Sequence, residues 1–244
     1  GVPSSMLTIM EFGGPRNGDG GVTKYSFEDR TAAINISGSE SILIPWKEYT
    51  ETVDHPNSVE IRLNTEERQT QTFISSSGWN VGVVYPGTGT QGKVEFQYLS
   101  GSTILSQSSE LMPFFNEEYT QIVVQHLGTG SFEVFAKEAF NERIRNAVSM
   151  SINNVPTSSW ELDNQLTIGG STFTGSVDEF RYWTTALSES RIDNHTLMPD
   201  AIDGNHHSSS TEDLILRLDF EYPKDRNADT SIKNVSINET YDVD

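Results

Sequence analysis

The chain has 244 residues, with 16 Lys and Arg against 35 Asp and Glu and no cysteine. Disulfides, thiolate metal sites and a cysteine nucleophile are therefore excluded. A formal net charge of −19 repels phosphate backbones and anionic surfaces, so no nucleic acid partner is expected.

In chain order, MLTIMEF at 6–12 reads as a first strand, followed by the glycine loop GGPRNGDGGV at 13–22. Asn17 and Asp19 in that loop, with the carbonyls a tight backbone exposes, are the oxygen ligands a calcium ion takes; plain turn chemistry accounts for them equally well. AAINIS and SILIPW are further strands. In SVEIRLNTE, Val59, Ile61 and Leu63 share one face and Glu60, Arg62 and Asn64 the other, the alternation of a half-buried antiparallel strand. QTFISSS precedes GWNVGVVYPGTGTQG, a glycine-rich hairpin flanked by Trp79 and Tyr85. Exposed aromatic rings stack on pyranose faces, so Trp79 and Tyr85 are candidate sugar contacts, with core packing as the alternative.

KVEFQYLSG and TILSQSS form a hairpin, and QIVVQHLG, SFEVFAKE, VSMSINNV and QLTIGGS continue the series of short strands. KEAFNERIRNA, from Lys137, reads as a short helix or a charged loop. Many brief strands between Gly, Ser, Asn and Pro turns, without crossover helices, predict an all-β antiparallel sandwich of jelly-roll type.

The stretch SVDEFRYW places two acids inside an apolar strand. At period two, Asp178 shares a face with Phe180 and Tyr182, and Glu179 shares the other with Val177, Arg181 and Trp183. The acids cannot work as one pair. Asp178 is expected to be a buried acceptor for loop amides, and Glu179 with Arg181 a solvated ion pair. A short helix follows, with Ser188 as its cap, Glu189 in its first turn, and Leu187 and Ile192 tucked under the sheet edge. MPDAIDGNHHSSSTED is polar and aperiodic, and a linker or long loop is expected over 201–213. In LILRLDFEYP, Leu214, Leu216, Leu218 and Phe220 share one face and Ile215, Arg217 and Asp219 the other. This strand, within 214–244, either returns to the sandwich beside MLTIMEF or starts a following unit.

Catalytic motifs are sparse. A glycosidase of this architecture lines one strand with alternating carboxylates; in WELDNQL, Glu161 and Asp163 alternate, but Gln165 occupies the place of the third acid. His55, His126 and His195 are isolated, and His206 and His207 lie in the polar linker, so all read as surface residues. DRNADTS at 225–231 has the spacing of a calcium loop without its turn glycine. Sequons at Asn35, Asn194, Asn234 and Asn238 matter only in a secreted eukaryotic protein. No run of eighteen apolar residues occurs, so no membrane insertion is expected, and the sequence reads as a piece of a longer protein.

GSVDEFRYWTTALSESRI, preceded by LTIGGSTF, resembles the last strand and "A-L-S" helix of the concanavalin A-like jelly roll in its laminin-G and pentraxin form. SGSESILIPW and DHPNSVEIRLNTEE resemble its early strands, and the resemblance places this domain within 1–200. The tail, TEDLILRLDFEYPKDRNADTSIKNVSIN, is similar to segments of large virion proteins of tailed marine bacteriophages. That resemblance implies a non-enzymatic structural or adhesion module of the virion, in a tail, neck or fibre protein, contacting other virion proteins or host-surface glycan. The alternative is a calcium-dependent carbohydrate-binding module of a bacterial surface or secreted protein, and a glycoside hydrolase ranks below both.

Overall fold

The structure, a computed structural model, describes residues 33–38, 40–46, 55–65, 67–128, 130–161, 165–205, 213–220 and 235–236. MLTIMEF, the loop bearing Asn17 and Asp19, and DRNADTS lie outside the described residues.

Two antiparallel sheets face each other across one aromatic-rich core. The larger contains β1 (Ile34–Ile36), β3 (Ser58–Asn64), β8 (Thr120–His126), β9 (Phe132–Phe140), β10 (Arg143–Ile152), β12 (Gly175–Trp183), β13 (Leu214–Leu218) and β14 (Val235–Ser236). Its order is β10-β9-β8-β3-β12-β13-β14, with β1 on the first residues of β12. The smaller contains β2 (Ser41–Pro45), β4 (Gln71–Ser75), β5 (Trp79–Val84), β6 (Gln91–Ser100), β7 (Thr103–Pro113) and β11 (Gln165–Gly169), in the order β2-β11-β4-β5-β6-β7. Two helices are described, α1 (Thr157–Trp160) and α2 (Glu189–Leu197). The all-β antiparallel sandwich expected from the period-two alternation is therefore the fold.

Between the sheets, Val59, Ile61 and Leu63 of β3 meet Val81 and Val83 of β5 and Val94 and Phe96 of β6 in one buried cluster. Trp46, Trp79, Trp160 and Tyr182 gather at one end. Trp79 stacks on Trp160 at 4.6 Å, and Trp46 meets Trp160 edge-on at 4.9 Å. Buried indoles need partners for their N–H groups. Trp46 Nε1 donates to the Trp160 carbonyl and Trp160 Nε1 to the Pro56 carbonyl, each at 2.8 Å.

Three sequence expectations change. KEAFNERIRNA is not a helix: it spans the end of β9 and the start of β10, joined at Asn141 and Glu142. Both turn residues have positive φ, 50° and 59°, as a two-residue type I′ hairpin requires. Cross-strand pairing overrides the helical propensity of Lys, Glu, Ala and Arg here. The second change is a bulge in β12: Val177 pairs with Leu63 and Glu179 with Arg62, leaving Asp178 as the extra residue. Val177 thus joins Phe180 and Tyr182 in the core, which strict alternation forbids. The third is a register shift where Tyr182 pairs with Leu216 and Trp183 with Leu214. It turns Ile215 into the core and Leu214 onto the outer face. Because β13 pairs with β12, residues 214–218 are part of the sandwich.

Glu142 occupies a left-handed position that costs an L-residue about 1–2 kcal/mol, against about 0.5–1 kcal/mol for the extra unfolded-state freedom of glycine. Glu142→Gly is expected to stabilise the protein by about 0.5–1 kcal/mol, read as a higher denaturation midpoint with an unchanged m-value.

Candidate functional site

The two outer faces of the sandwich differ. On the larger sheet, Arg217, Arg181, Glu60 and Val123 lie side by side on β13, β12, β3 and β8. Glu179 and Trp183 flank Arg181 along β12. Alternation makes this a solvated face, yet Glu60 and Glu179 are 1% exposed, Arg181 0% and Arg217 6%. The expected wet pair, Glu179 with Arg181, is buried, because α2 and residues 198–205 cover it.

The charges are matched at close range. Glu179 takes a two-point contact from Arg217, one arm being Nε to Oε2 at 2.8 Å, and its Oε2 lies 3.2 Å from Arg181 Nη2. Arg181 also bonds the Pro199 carbonyl, and Asp200 lies 3.4 Å from Arg217. Glu60 Oε2 accepts from Trp183 Nε1 at 2.8 Å, and its Oε1 lies 2.9 Å from His195 Nδ1. The other ring nitrogen of His195 is 3.0 Å from the Asp203 carbonyl. Both ring nitrogens face oxygen atoms. Burial pushes the Glu60 carboxyl up, but the His195 ring, Arg181 and the Trp183 N–H outweigh it and hold the group at about 2.

The helix is pinned by the same chemistry. Lys137, 3% exposed, reaches from β9 to Glu189 at 2.8 Å and Asp193 at 2.6 Å. Burial works against its charge, but these two carboxylates raise its pKa above the ordinary value. Leu187 and Ile192 pack with Val123, Phe135, Trp183 and Leu214 on the sheet's outer face rather than under its edge. Ser188 occupies the cap position but its side chain makes no capping bond; its backbone N–H donates to Asn205 Oδ1 at 2.8 Å.

His195, expected at the surface, is fully buried and stacks on Trp183 at 5.3 Å. A helical period places it on the face of Ile192, three residues before, which is the sequence signal that finds it. Asp178 is 7% exposed and accepts from the Arg62 guanidinium. Arg62 also lies over the Tyr119 ring at 4.4 Å.

Of the candidate sugar contacts, Trp79 is 2% exposed and stacked in the core, so it has no face for a pyranose. Tyr85 is half-buried and meets Phe115 edge-on at 5.2 Å. The two are not brought together as a platform. Glu161 closes α1 instead of lying on a strand, which removes the alternation that made it a hydrolase candidate; Asp163 lies outside the described residues. Among the described residues, no group of three or more His, Asp or Glu is placed to hold a metal ion. No described helix is long and apolar enough to cross a membrane.

The smaller sheet's outer face carries no described helix. Leu43, Thr167, Ser75, Asn80, Gln97 and Ser106 form one row across all six of its strands. Asn80 donates to Gln97 Oε1 at 3.1 Å, and Gln97 to Glu95 Oε2 at 2.6 Å. A neighbouring row runs through Thr72, Gly82, Glu95 and Ser108. The face is half-exposed and lined by hydroxyls and carboxamides, with Leu43 60% exposed at one end.

No family model matches the chain, and no curated protein matches it. Solved structures to which the chain shows similarity include the LG1–3 region of the laminin alpha2 chain, at 9% identity and a TM-score of 0.44 over 60% of this chain and 30% of that one. A mutant of HCR/D gives 13% and 0.43 over 69% and 42%. The binding domain of Paraclostridial Mosquitocidal Protein 1 gives 10% and 0.31 over 68% and 46%. The chain spans less than half the length of each, and at these identities and scores the likenesses say nothing of ligand or activity.

Glu60 has a folded pKa of about 2 against its ordinary 4.5. Its contribution to stability is therefore present above about 4.5 and lost as pH falls toward 2. The melting temperature of the wild type is expected to fall across that window more steeply than that of Glu60→Gln. The variant melts lower at neutral pH, and the two curves converge near the acid end.

Proposed function

We propose that the chain is a non-enzymatic contact module of a bacteriophage virion, in a tail, neck or fibre protein, binding other virion proteins or host-surface glycan. The observation that carries the contact role is the asymmetry of the sandwich. One outer face is sealed by α2 and a buried ion network. The other presents Thr, Ser, Asn and Gln in a row across five of its six strands, an array of donors and acceptors suited to a polar partner. The virion setting rests on the likeness of the tail TEDLILRLDFEYPKDRNADTSIKNVSIN to phage virion proteins. A strongly acidic surface suits a protein that must stay soluble until it meets its partner.

Gln97→Arg places a bulky cation in the middle of the polar row. Binding to the phage's host cells or to purified virion proteins is expected to fall about tenfold or more, with the melting temperature nearly unchanged. Undiminished binding would contradict the assignment of this face. Mass spectrometry of purified particles is expected to find the chain, and its absence would remove the virion setting. Turnover of a β-glucan that is lost in Glu161→Gln would overturn the non-enzymatic reading.

A further inference from the structure

A second polar cluster lies inside the sandwich, where nothing in the contact role calls for it. Thr120, Glu138 and Asn146 stand side by side on β8, β9 and β10, with Thr120 and Asn146 directly opposite Glu138 on either hand. Adjacent positions of this kind bring Cβ atoms to about 5 Å. All three point inward: the next row toward the centre is Ile61, Ile122, Ala136 and Val148, which lines the core. Glu138 is 0% exposed and Thr120 1%. Among the described residues no cationic side chain reaches Glu138. Its oxygens take only the carboxamide N–H groups of Asn116 at 2.7 Å, from the loop before β8, and Asn146 at 3.1 Å. Among the described residues the Thr120 hydroxyl, buried beside it, has no hydrogen-bond partner.

A buried carboxylate without a countercharge and a buried hydroxyl without a partner are each costly, and here they adjoin. A hard divalent cation resolves both. Turning the Asn146 carboxamide by 180° replaces a donor by an oxygen acceptor at the same place without backbone movement; the same turn at Asn116 also gives up the 3.3 Å bond that its Oδ1 accepts from the Glu118 N–H. The geometry points to an internal calcium site built from the Glu138 carboxylate, the Thr120 hydroxyl and the Asn116 and Asn146 carbonyl oxygens, with water or backbone carbonyls completing the shell. An all-oxygen set excludes the softer transition ions, and a flexible, partly carboxamide set suits calcium better than octahedral magnesium. With one anionic ligand, its affinity falls in the weak range for calcium modules, roughly 10⁻⁴–10⁻³ M. The net charge of −19 raises the local concentration of cations around it. None of these four residues belongs to the glycine loop bearing Asn17 and Asp19.

Thermal unfolding of the whole chain, with a chelator and then with calcium or magnesium chloride, tests the site. Calcium at about ten times its Kd is expected to raise the melting temperature of the wild type by roughly 3–5 °C, and magnesium by less. Glu138→Gln is expected to abolish the shift. Thr120→Val removes the orphaned hydroxyl at constant shape, so in chelator it melts no lower than the wild type, while its calcium shift shrinks. That variant decides the matter if Glu138→Gln does not fold. No shift in the wild type, a larger shift with magnesium, or an undiminished shift in both variants would overturn the proposal.

Discussion

Arg181 and Arg217 sit directly opposite each other on neighbouring strands and are both buried, an arrangement that like charges tolerate only if anions are held against them. Glu179 bridges the two guanidinium groups, and Glu60 carries the field onward to His195 on α2. Desolvating these groups costs several kcal/mol per ion, and close pairing is what offsets it. The position of α2 follows from this constraint. The helix brings His195 to Glu60, and its first turns carry Glu189 and Asp193 to the buried Lys137. Residues 199–203 close the remaining side with the Pro199 and Asp203 carbonyls and the Asp200 carboxylate.

Sealing one sheet in this way gives the molecule a back and a front. The core between the sheets is aromatic and tightly interlocked around Trp46, Trp79 and Trp160. The smaller sheet is thus a stiff platform that holds its outward side chains in fixed rows. Rows of hydroxyl and carboxamide groups on a rigid sheet offer directional contacts at small entropic cost, since the short side chains of Thr, Ser and Asn lose little freedom on binding.

The strands were legible because alternation is a strong signal: Val59, Ile61 and Leu63 point inward as the period requires. The faces of β12 and β13 were not, because a bulge at Asp178 and a register shift before Leu216 each change which residues share a side, and nothing in period two marks an extra residue. KEAFNERIRNA misled because local propensity favours a helix where the hairpin partner decides. Alternation also placed Glu60, Glu179 and Arg181 on a face presumed wet. What covers that face is a long-range contact, and only His195 in register with Ile192 hinted at it. Glu138 lies in phase with Phe132, Val134 and Ala136, but one acid on an apolar face names no chemistry without the Thr120 and Asn146 that the sheet sets beside it.

The dependence of the fold on the sealed ion network is tested most directly by a double-mutant cycle on Glu179 and Arg217. Glu179→Gln and Arg217→Met are each expected to destabilise the protein by about 3–5 kcal/mol, since each takes from a buried charge its closest partner. The double variant should lose less than their sum by at least about 1.5 kcal/mol. Losses that add to within about 0.5 kcal/mol would show that the two groups do not depend on each other, and would contradict a sandwich organised around their pairing.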